Sequence, residues 1–312
     1  SNPMSDPFPK VPSTPASPRA WLNALRLRTL PLAAAAILLP AGLLALQGKV
    51  QFEIVGQALL TAFLLQILSN LANDYGDAVS GADRDRIGPA RMVASGQISP
   101  KSMRIAIVAA AAAALVSGLA LLQHLQGSPK TYALWLVLGL LAVAAAVRYT
   151  VGRRPYGYRG LGEVAVIAFF GPVAYAGIVA LHGVTMSTAD WGPALGTGLL
   201  AASVLNLNNL RDRELDAQNN KITLAVRLGD RGGRVWHSIL VGVALLGMLL
   251  YAYPRSVPLT WGWSLMTLAY SSLLRRIWQV REPAAYDAYL KPTALYLLVM
   301  ALMPWILYWR TP

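Results

Sequence analysis

The sequence predicts an all-α integral membrane protein of nine transmembrane helices, arranged as two four-helix modules plus a ninth helix around a central cavity. Composition and long apolar runs predict the nine crossings, and a repeat of acidic clusters predicts the two modules and the cavity they share. Of 312 residues, 55% are hydrophobic and 13% are charged, against roughly 25% charged in a soluble domain, and the mean hydropathy is +0.47. A helix crosses ~30 Å of hydrocarbon with about 20 mostly apolar residues. Such runs recur nine times, centred on residues 30–46, 54–72, 105–122, 132–147, 164–181, 193–207, 235–252, 258–274 and 293–309. Trp191, Trp261, Trp263, Trp305 and Trp309 crowd their ends, as amphipathic rings do at headgroup level. Buried helices of a large soluble core are the alternative, and so many long uncharged runs speak against it.

A net charge of +13 would suit a nucleic-acid partner if the basic residues shared a soluble face. They sort by side of the membrane instead. Lys10, Arg19, Arg26 and Arg28 precede the first run, and the loops after the second, fourth, sixth and eighth runs carry the basic groups of 84–104, 148–159, 211–234 and 275–291. The other side keeps only Lys49, Lys130, Arg255 and Arg310. By the positive-inside rule the N-terminus and the even-numbered loops are expected to be cytoplasmic, with the C-terminus outside. Topology thus accounts for the positive excess, and no nucleic-acid partner is expected. The absence of cysteine excludes disulfides, thiolate metal sites and cysteine nucleophiles. Residues 1–20, rich in Pro and Ser, read as a disordered tail with no secretory signal. Residues 21–312 read as a single transmembrane domain, its modules at about 30–147 and 164–274 and its ninth helix at 293–309.

The acidic residues are grouped where the basic ones are. One cluster, Asn73-Asp74-Tyr75-Gly76-Asp77, ends the second run, with Asp83 and Asp85 following; the other, from Asn208 through Asp212 and Glu214 to Asp216, ends the sixth. Residues four apart share a helix face, so Asn73 pairs with Asp77, and Asn208, Asp212 and Asp216 form a ladder. Asn73 to Asn208 and Asp77 to Asp212 are each 135 positions apart, which implies that the two acidic faces meet across the cavity. Like charges ~5 Å apart repel by about 3 kcal/mol at an effective dielectric near 20, so a cation is expected between them. Oxygen-only ligands without His or Cys favour Mg²⁺, which prefers a few carboxylates together with a substrate's phosphates. The competing reading pairs these acids with arginines of their own loops, Arg84 and Arg86 or Arg211 and Arg213. Arg86, Arg91, Lys221 and Arg227 are candidates to clamp diphosphate oxygens, each equally at home as a positive-inside residue.

The loop after the fourth run, residues 149–163, is dense in Tyr and Gly and ends in an acid. Tyr149 and Tyr156 are candidates to hydrogen-bond a phosphate or an aromatic hydroxyl, or to act as interfacial anchors, and Glu163 to position a phenol or water. The glycines follow no strand, which argues against a dinucleotide fingerprint. His124, His182 and His237 fit no metal-ligand spacing.

These strings resemble one family closely. NDYGDAVSGADRDRIGPARMV and NNLRDRELDAQNNKITLAVRLG are similar to the two aspartate-rich motifs of UbiA-type intramembrane aromatic prenyltransferases. YTVGRRPYGYRGLGE, and LRLRTLPLA before the first run, resemble the 1,4-dihydroxy-2-naphthoate polyprenyltransferase branch. The likeness runs from about Trp21 to the end of the chain. The superfamily's first motif commonly reads NDxxDxxxD, whose last Asp falls here at Gly81; the next acid is Asp83. That departure weakens a 4-hydroxybenzoate assignment and leaves open which loop acid completes the metal shell.

The resemblance implies two Mg²⁺ ions bridging the motifs, a side opening for a lipid tail, and a place in a bacterial cytoplasmic (inner) membrane. It implies polyprenyl diphosphate and 1,4-dihydroxy-2-naphthoate as substrates. Asn73, Asp77, Asp83, Asn208, Asp212 and Asp216 are then expected to hold Mg²⁺, with Asp74 supporting from an adjacent face. Lys221, Arg91 and Tyr149 are expected on the departing diphosphate. Another aromatic acceptor is the nearest alternative. A transporter would place its acids at the midplane and its repeat inverted, and a CDP-alcohol enzyme would gather its aspartates in one compact motif.

Overall fold

The computed structural model describes residues 15–81 and 88–310, and every regular element in them is helical. The helices are α1 (Pro18–Leu25), α2 (Leu30–Leu46), α3 (Phe52–Ser80), α4 (Pro100–Leu122), α5 (Pro129–Arg148), α6 (Gly162–Ala168), α7 (Ala174–Leu181), α8 (Trp191–Gln218), α9 (Leu224–Ala252), α10 (Val257–Ile277) and α11 (Asp287–Arg310). Four of these starts are written in the sequence as Ser with a Pro one or two positions on. Ser17, Ser99, Ser128 and Ser256 accept from the backbone N–H of Ala20, Ser102, Thr131 and Leu259, and a proline fills the first or second helical position each time. The serine satisfies a donor the helix leaves open, and proline loses nothing where no partner exists. Because Ser17 caps α1, the helix begins inside the stretch 1–20 expected as tail; residues 1–14 lie outside those described.

Seven helical stretches among the described residues are long and apolar enough to cross a membrane: Pro18–Leu46, Phe52–Ser80, Pro100–Leu122, Pro129–Arg148, Gly162–Leu181, Leu224–Ala252 and Pro283–Arg310. Helices α8 and α10 are long, at 28 and 21 residues, but their Gly, Asn, Ser, Thr and Trp content makes them less apolar than those seven. The apolar surface points outward, as it does when lipid is the solvent. Helix α5 has no buried residue, and its Leu134, Val137, Leu140 and Leu141 are all exposed.

Inside the bundle, small residues and backbone acceptors set the packing, as they must where helices have no hydrophobic drive toward one another. Helix α8 packs against α6, α9 and α11, while α2 packs against α3 and α11 and so brings the two ends of the chain together. Gly198 of α8 lies against Gly171 and the Ile167 carbonyl, where a Cβ would collide with backbone. Gly171 and Pro172 sit in the π-helical turn Phe169–Val173 that separates α6 from α7; proline and a π turn are ordinary causes of a kink. Trp305 Nε1 donates to the Leu38 carbonyl at 2.8 Å, and Trp263 Nε1 to that of Met300 at 3.0 Å. At the end carrying the acidic motifs, Ala20 and Ala24 of α1 join Leu71, Met92, Val93, Ile98 and Met103 in an apolar cluster. This cluster seats the loop after α3 against the helix that bears the first motif.

Candidate active site

Helix α3 is 29 residues long and ends at Ser80, with Gly81 in the left-handed conformation at its C-cap. It therefore carries Asn73, Asp74 and Asp77 on its last two turns, and α8 carries Asn208, Asp212 and Asp216 on its last three. Asp74, Asp77, Asp212 and Asp216 are all buried. Buried carboxylates need partners: two of the four share one, and the other two are engaged separately.

Asp77 and Asp216 share a cation. The Lys221 ammonium lies 3.8 Å from Asp77 Oδ1 and 3.9 Å from Asp216 Oδ1, so one residue of the turn after α8 joins the two motifs. Arg91 Nη2 approaches Asp77 Oδ2 at 3.7 Å, and the Tyr158 hydroxyl donates to Asp77 Oδ1. The same Tyr158 ring lies 5.3 Å below the Lys221 ammonium, and its carbonyl accepts from Ile222 N at 2.9 Å. Tyr158 thus ties the tyrosine-rich loop to both motifs. Tyr158 is not among the residues expected from sequence, where Tyr149 and Tyr156 are; its place in the dense Tyr-Gly string is its one signal there.

Asp212 and Asp74 are engaged otherwise. Arg211 grips both oxygens of Asp212 at 2.8 Å and reaches Asn208 Oδ1 at 2.8 Å and Asp287. The reading that pairs acids with arginines of their own loop therefore describes Asp212. Asp74 accepts from the backbone N–H of Met92 at 2.9 Å and of Val93 at 2.8 Å, so its two oxygens fasten the loop that carries Arg91. Asn73 Oδ1 accepts from Thr150 Oγ1 at 3.0 Å. Asp83 and Arg86 lie outside the described residues.

The loop 149–163 packs against both motif ends through Thr150 and Tyr158. Tyr149 packs edge-on to Tyr156, with centroids 5.4 Å apart, and Gly157 and Gly162 leave room for its ring and backbone. Burial, and then the charges of Glu163, Asp77, Tyr156 and Asp216, push the Tyr149 phenol well above its ordinary range, so it stays a hydrogen-bond donor. Tyr156 is pushed up to about 12 by burial and spends its hydroxyl on the Ala145 carbonyl at 2.6 Å, an anchoring role. Glu163, buried at the start of α6, accepts from Asn209 Nδ2 at 3.4 Å. Arg227 is exposed and donates to the Arg159 carbonyl at 2.8 Å, which fastens the loop to the start of α9.

Among the described residues no three His, Asp or Glu side chains gather into a ready-made metal cage. The Asp77–Asp216 pair, with all-oxygen donors and two cations already within 4 Å, instead fits a site completed by phosphate. Mg²⁺ is held in this way, by one or two carboxylates and a substrate's phosphates.

A helical membrane bundle with a buried two-carboxylate, cation-lined cleft at one end of its helices is built to act on an anionic group carried by an apolar molecule. Comparison with known proteins agrees. The model of the UbiA prenyltransferase family matches residues 34–302, and the chain belongs to that family. It is 44% identical over 252 residues to 1,4-dihydroxy-2-naphthoate octaprenyltransferase of Escherichia coli (strain K12), covering 80% of this chain and 82% of that one. It is 38% identical over 288 residues to the Mycobacterium tuberculosis (strain ATCC 25618 / H37Rv) protein of the same name, covering 90% and 94%. Among solved structures, a UbiA homologue from Archaeoglobus fulgidus bound to GPP and Mg²⁺ superposes with a TM-score of 0.65 at 16% identity, covering 93% of this chain and 99% of that one. An apo UbiA homologue from Aeropyrum pernix K1 gives 0.65 at 17% identity, covering 90% and 96%.

Proposed function

We propose that this protein transfers a polyprenyl chain from its diphosphate to 1,4-dihydroxy-2-naphthoate, with loss of the carboxyl group as CO₂, giving the demethylmenaquinone skeleton. The single observation that carries the reading is Lys221 held between Asp77 and Asp216, which unites motifs 139 positions apart into one phosphate-competent cleft. Relatives 44% and 38% identical over the aligned residues, and named for this reaction, support the choice of acceptor.

In this reaction the allylic C–O bond breaks and the diphosphate departs with the electron pair. The electron-rich naphthoate ring supplies the electrons of the new C–C bond, and release of CO₂ restores aromaticity. Asp77 and Asp216, with the Asn73 and Asn208 amides and Asp83, would hold Mg²⁺, two ions in this reading. Bound there, Mg²⁺ would neutralise charge developing on the departing diphosphate. Lys221 and Arg91 stand ready to bind its oxygens, with Arg86 as a further donor and Tyr149 as a neutral one. Glu163 orients the naphthoate through a hydroxyl, fixed by Asn209. Asp212, locked by Arg211, and Asp74, locked to the Met92–Val93 backbone, keep the two motif helices in register. The apolar walls exclude water, which would otherwise capture the allylic carbon.

In the bilayer, α8 and α10 join the seven apolar stretches as crossings, which makes nine in two modules plus α11. The cleft then faces the cytoplasm of a bacterial inner membrane, as the basic residues of its loops indicate. The test is mass spectrometry of the quinone formed by purified protein given the naphthoate, 4-hydroxybenzoate and mixed prenyl diphosphates, with and without Mg²⁺. A decarboxylated prenyl-naphthohydroquinone, read as the quinone after oxidation by air, is expected only with Mg²⁺. Prenylation of 4-hydroxybenzoate alone, or turnover indifferent to Mg²⁺, would overturn the proposal.

A further inference from the structure

The opposite end of the bundle holds a cavity. It has a volume of about 450 Å³ and is enclosed by the ends of α2, α7 and α9 and the start of α10. Helix α9 separates it from the acidic cleft: Lys221 precedes the helix, Tyr251 lies in its last turn, and beyond the break at Gly229 its continuous part to Ala252 spans ~34 Å at 1.5 Å per residue. The floor is apolar, with Leu43, Val179 and Leu259. One wall is a fixed polar group. Asp190 accepts from Ser187 N and Ser187 Oγ, both at 2.7 Å, and from the Tyr175 hydroxyl at 2.8 Å, so its charge is already answered by three donors.

The mouth carries Lys49 and Arg255. Arg255 is pre-positioned, its guanidinium 4.6 Å over the Tyr251 ring and its Nη1 donating to the Tyr251 carbonyl at 3.0 Å. Neither cation has a carboxylate within 4.0 Å among the described residues. Basic residues are scarce on this side, which keeps only Lys49, Lys130, Arg255 and Arg310. Two of them converge on one cavity, against the bias that topology imposes. The volume falls in the range of small-molecule sites, and an apolar floor with a few placed polar groups is their usual lining.

We propose that this cavity binds an anionic phospholipid, its phosphate between Lys49 and Arg255 and an acyl chain on the Leu43–Val179–Leu259 floor. A free phosphate would use the mouth and leave the floor empty, whereas an amphiphile at headgroup depth uses both. The readout is lipid retention, so the inference stands apart from the transferase reading.

The experiment is native mass spectrometry of the full chain in detergent with phosphatidylglycerol, with phosphatidylcholine of the same acyl chains, and with inorganic phosphate as competitor. The wild type is expected to retain phosphatidylglycerol roughly tenfold over phosphatidylcholine, and millimolar phosphate should leave it bound. Lys49→Gln and Arg255→Gln should each reduce the preference and together abolish it; Leu259→Trp, filling the floor, should expel the lipid with both cations intact. Lys130→Gln, on the same side but off the cavity, should change nothing. Lys49 is exposed, so its single variant is a test that does not strain the fold. Unchanged retention in Lys49→Gln/Arg255→Gln, an equal loss in Lys130→Gln, or displacement by phosphate alone would each overturn the proposal.

Discussion

Asp74 and Asp77 sit three residues apart on one helix end, and the structure gives them separable jobs. In Asp74→Asn the carboxylate that accepts from Met92 N and Val93 N becomes an amide with one acceptor and one donor end. One backbone N–H then faces an NH₂ group in a buried setting. A hydrogen bond to a charged group contributes about 1.5–3 kcal/mol, and a buried donor left unmet costs about 1–3 kcal/mol, so ~2–4 kcal/mol of loop stability is lost. At ~1.4 kcal/mol per tenfold, the Met92 and Val93 amides should exchange with solvent ~30- to several-hundred-fold faster. Arg91, next in the chain, loses its seat, so KM for the prenyl diphosphate should rise. The Mg²⁺ concentration for half-maximal rate should stay within about twofold, because Asp74 has both oxygens committed to backbone. Asp77→Asn should do the converse: those amides stay protected, the Mg²⁺ requirement rises, and turnover falls by ~10² or more. Hydrogen exchange by mass spectrometry and Mg²⁺ titration of the rate read both quantities. If Asp74→Asn shifted the Mg²⁺ requirement as Asp77→Asn does while its loop amides stayed protected, the division of labour would be refuted.

Lys221→Met removes an ammonium within 4 Å of two carboxylates, each pair interacting by about 4 kcal/mol at an effective dielectric of 20; kcat/KM for the prenyl diphosphate should fall by ~10² or more in a radiolabelled transfer assay. Tyr158→Phe keeps the ring under Lys221 but loses the hydroxyl donated to Asp77, so a smaller fall, ~5- to 20-fold, is expected. Tyr149 has its folded pKa raised, so it is protonated in folded and unfolded chains alike below pH ~10, and any stability it lends is lost only above that. Tyr149→Phe should accordingly lower the rate while leaving the pH–rate profile between 6 and 9 unchanged in shape. Gly198→Val drives a side chain into the Ile167 carbonyl and Gly171, and a thermal melt in detergent should show a loss of about 2–3 kcal/mol.

The helical membrane class was legible because the bilayer imposes a length and an apolarity on every crossing, and Ser-Pro pairs punctuate the starts. Less legible were α8 and α10, whose small and polar residues serve close helix packing and so dilute the apolar signal. The kink at Gly171–Pro172 falls inside an unbroken apolar run, where hydropathy is blind to backbone geometry. In the site, Lys221 and Tyr149 stand where charge and loop composition pointed. Periodicity groups side chains by helix face, but it does not say which backbone donors a loop will bring. Asp74's commitment to Met92 and Val93 was therefore invisible, as was Tyr158's reach across 81 positions to Asp77.

The repeat itself misleads at one point. A spacing of 135 makes Asp212 the equivalent of Asp77, yet the acid that shares Lys221 with Asp77 is Asp216, one helical turn further on. The second motif has an arginine directly before its aspartate where the first has Gly76, and Gly76 is packed so closely on Thr150 that a side chain there would collide with it. Arg211 is free to turn back on Asp212, neutralises it, and ties α8 to Asp287 at the start of α11. A buried carboxylate stripped of such a partner costs about 3–5 kcal/mol. Arg211→Met should therefore destabilise the fold heavily, whereas Arg211→Met with Asp212→Leu should recover much of the melting temperature. Asp216→Asn should match Asp77→Asn in its Mg²⁺ requirement, and Asp212→Asn should act chiefly through stability. Were Asp212→Asn instead to raise the Mg²⁺ requirement at an unchanged melting temperature, the pairing by sequence register would hold and the turn-shifted pairing would be wrong.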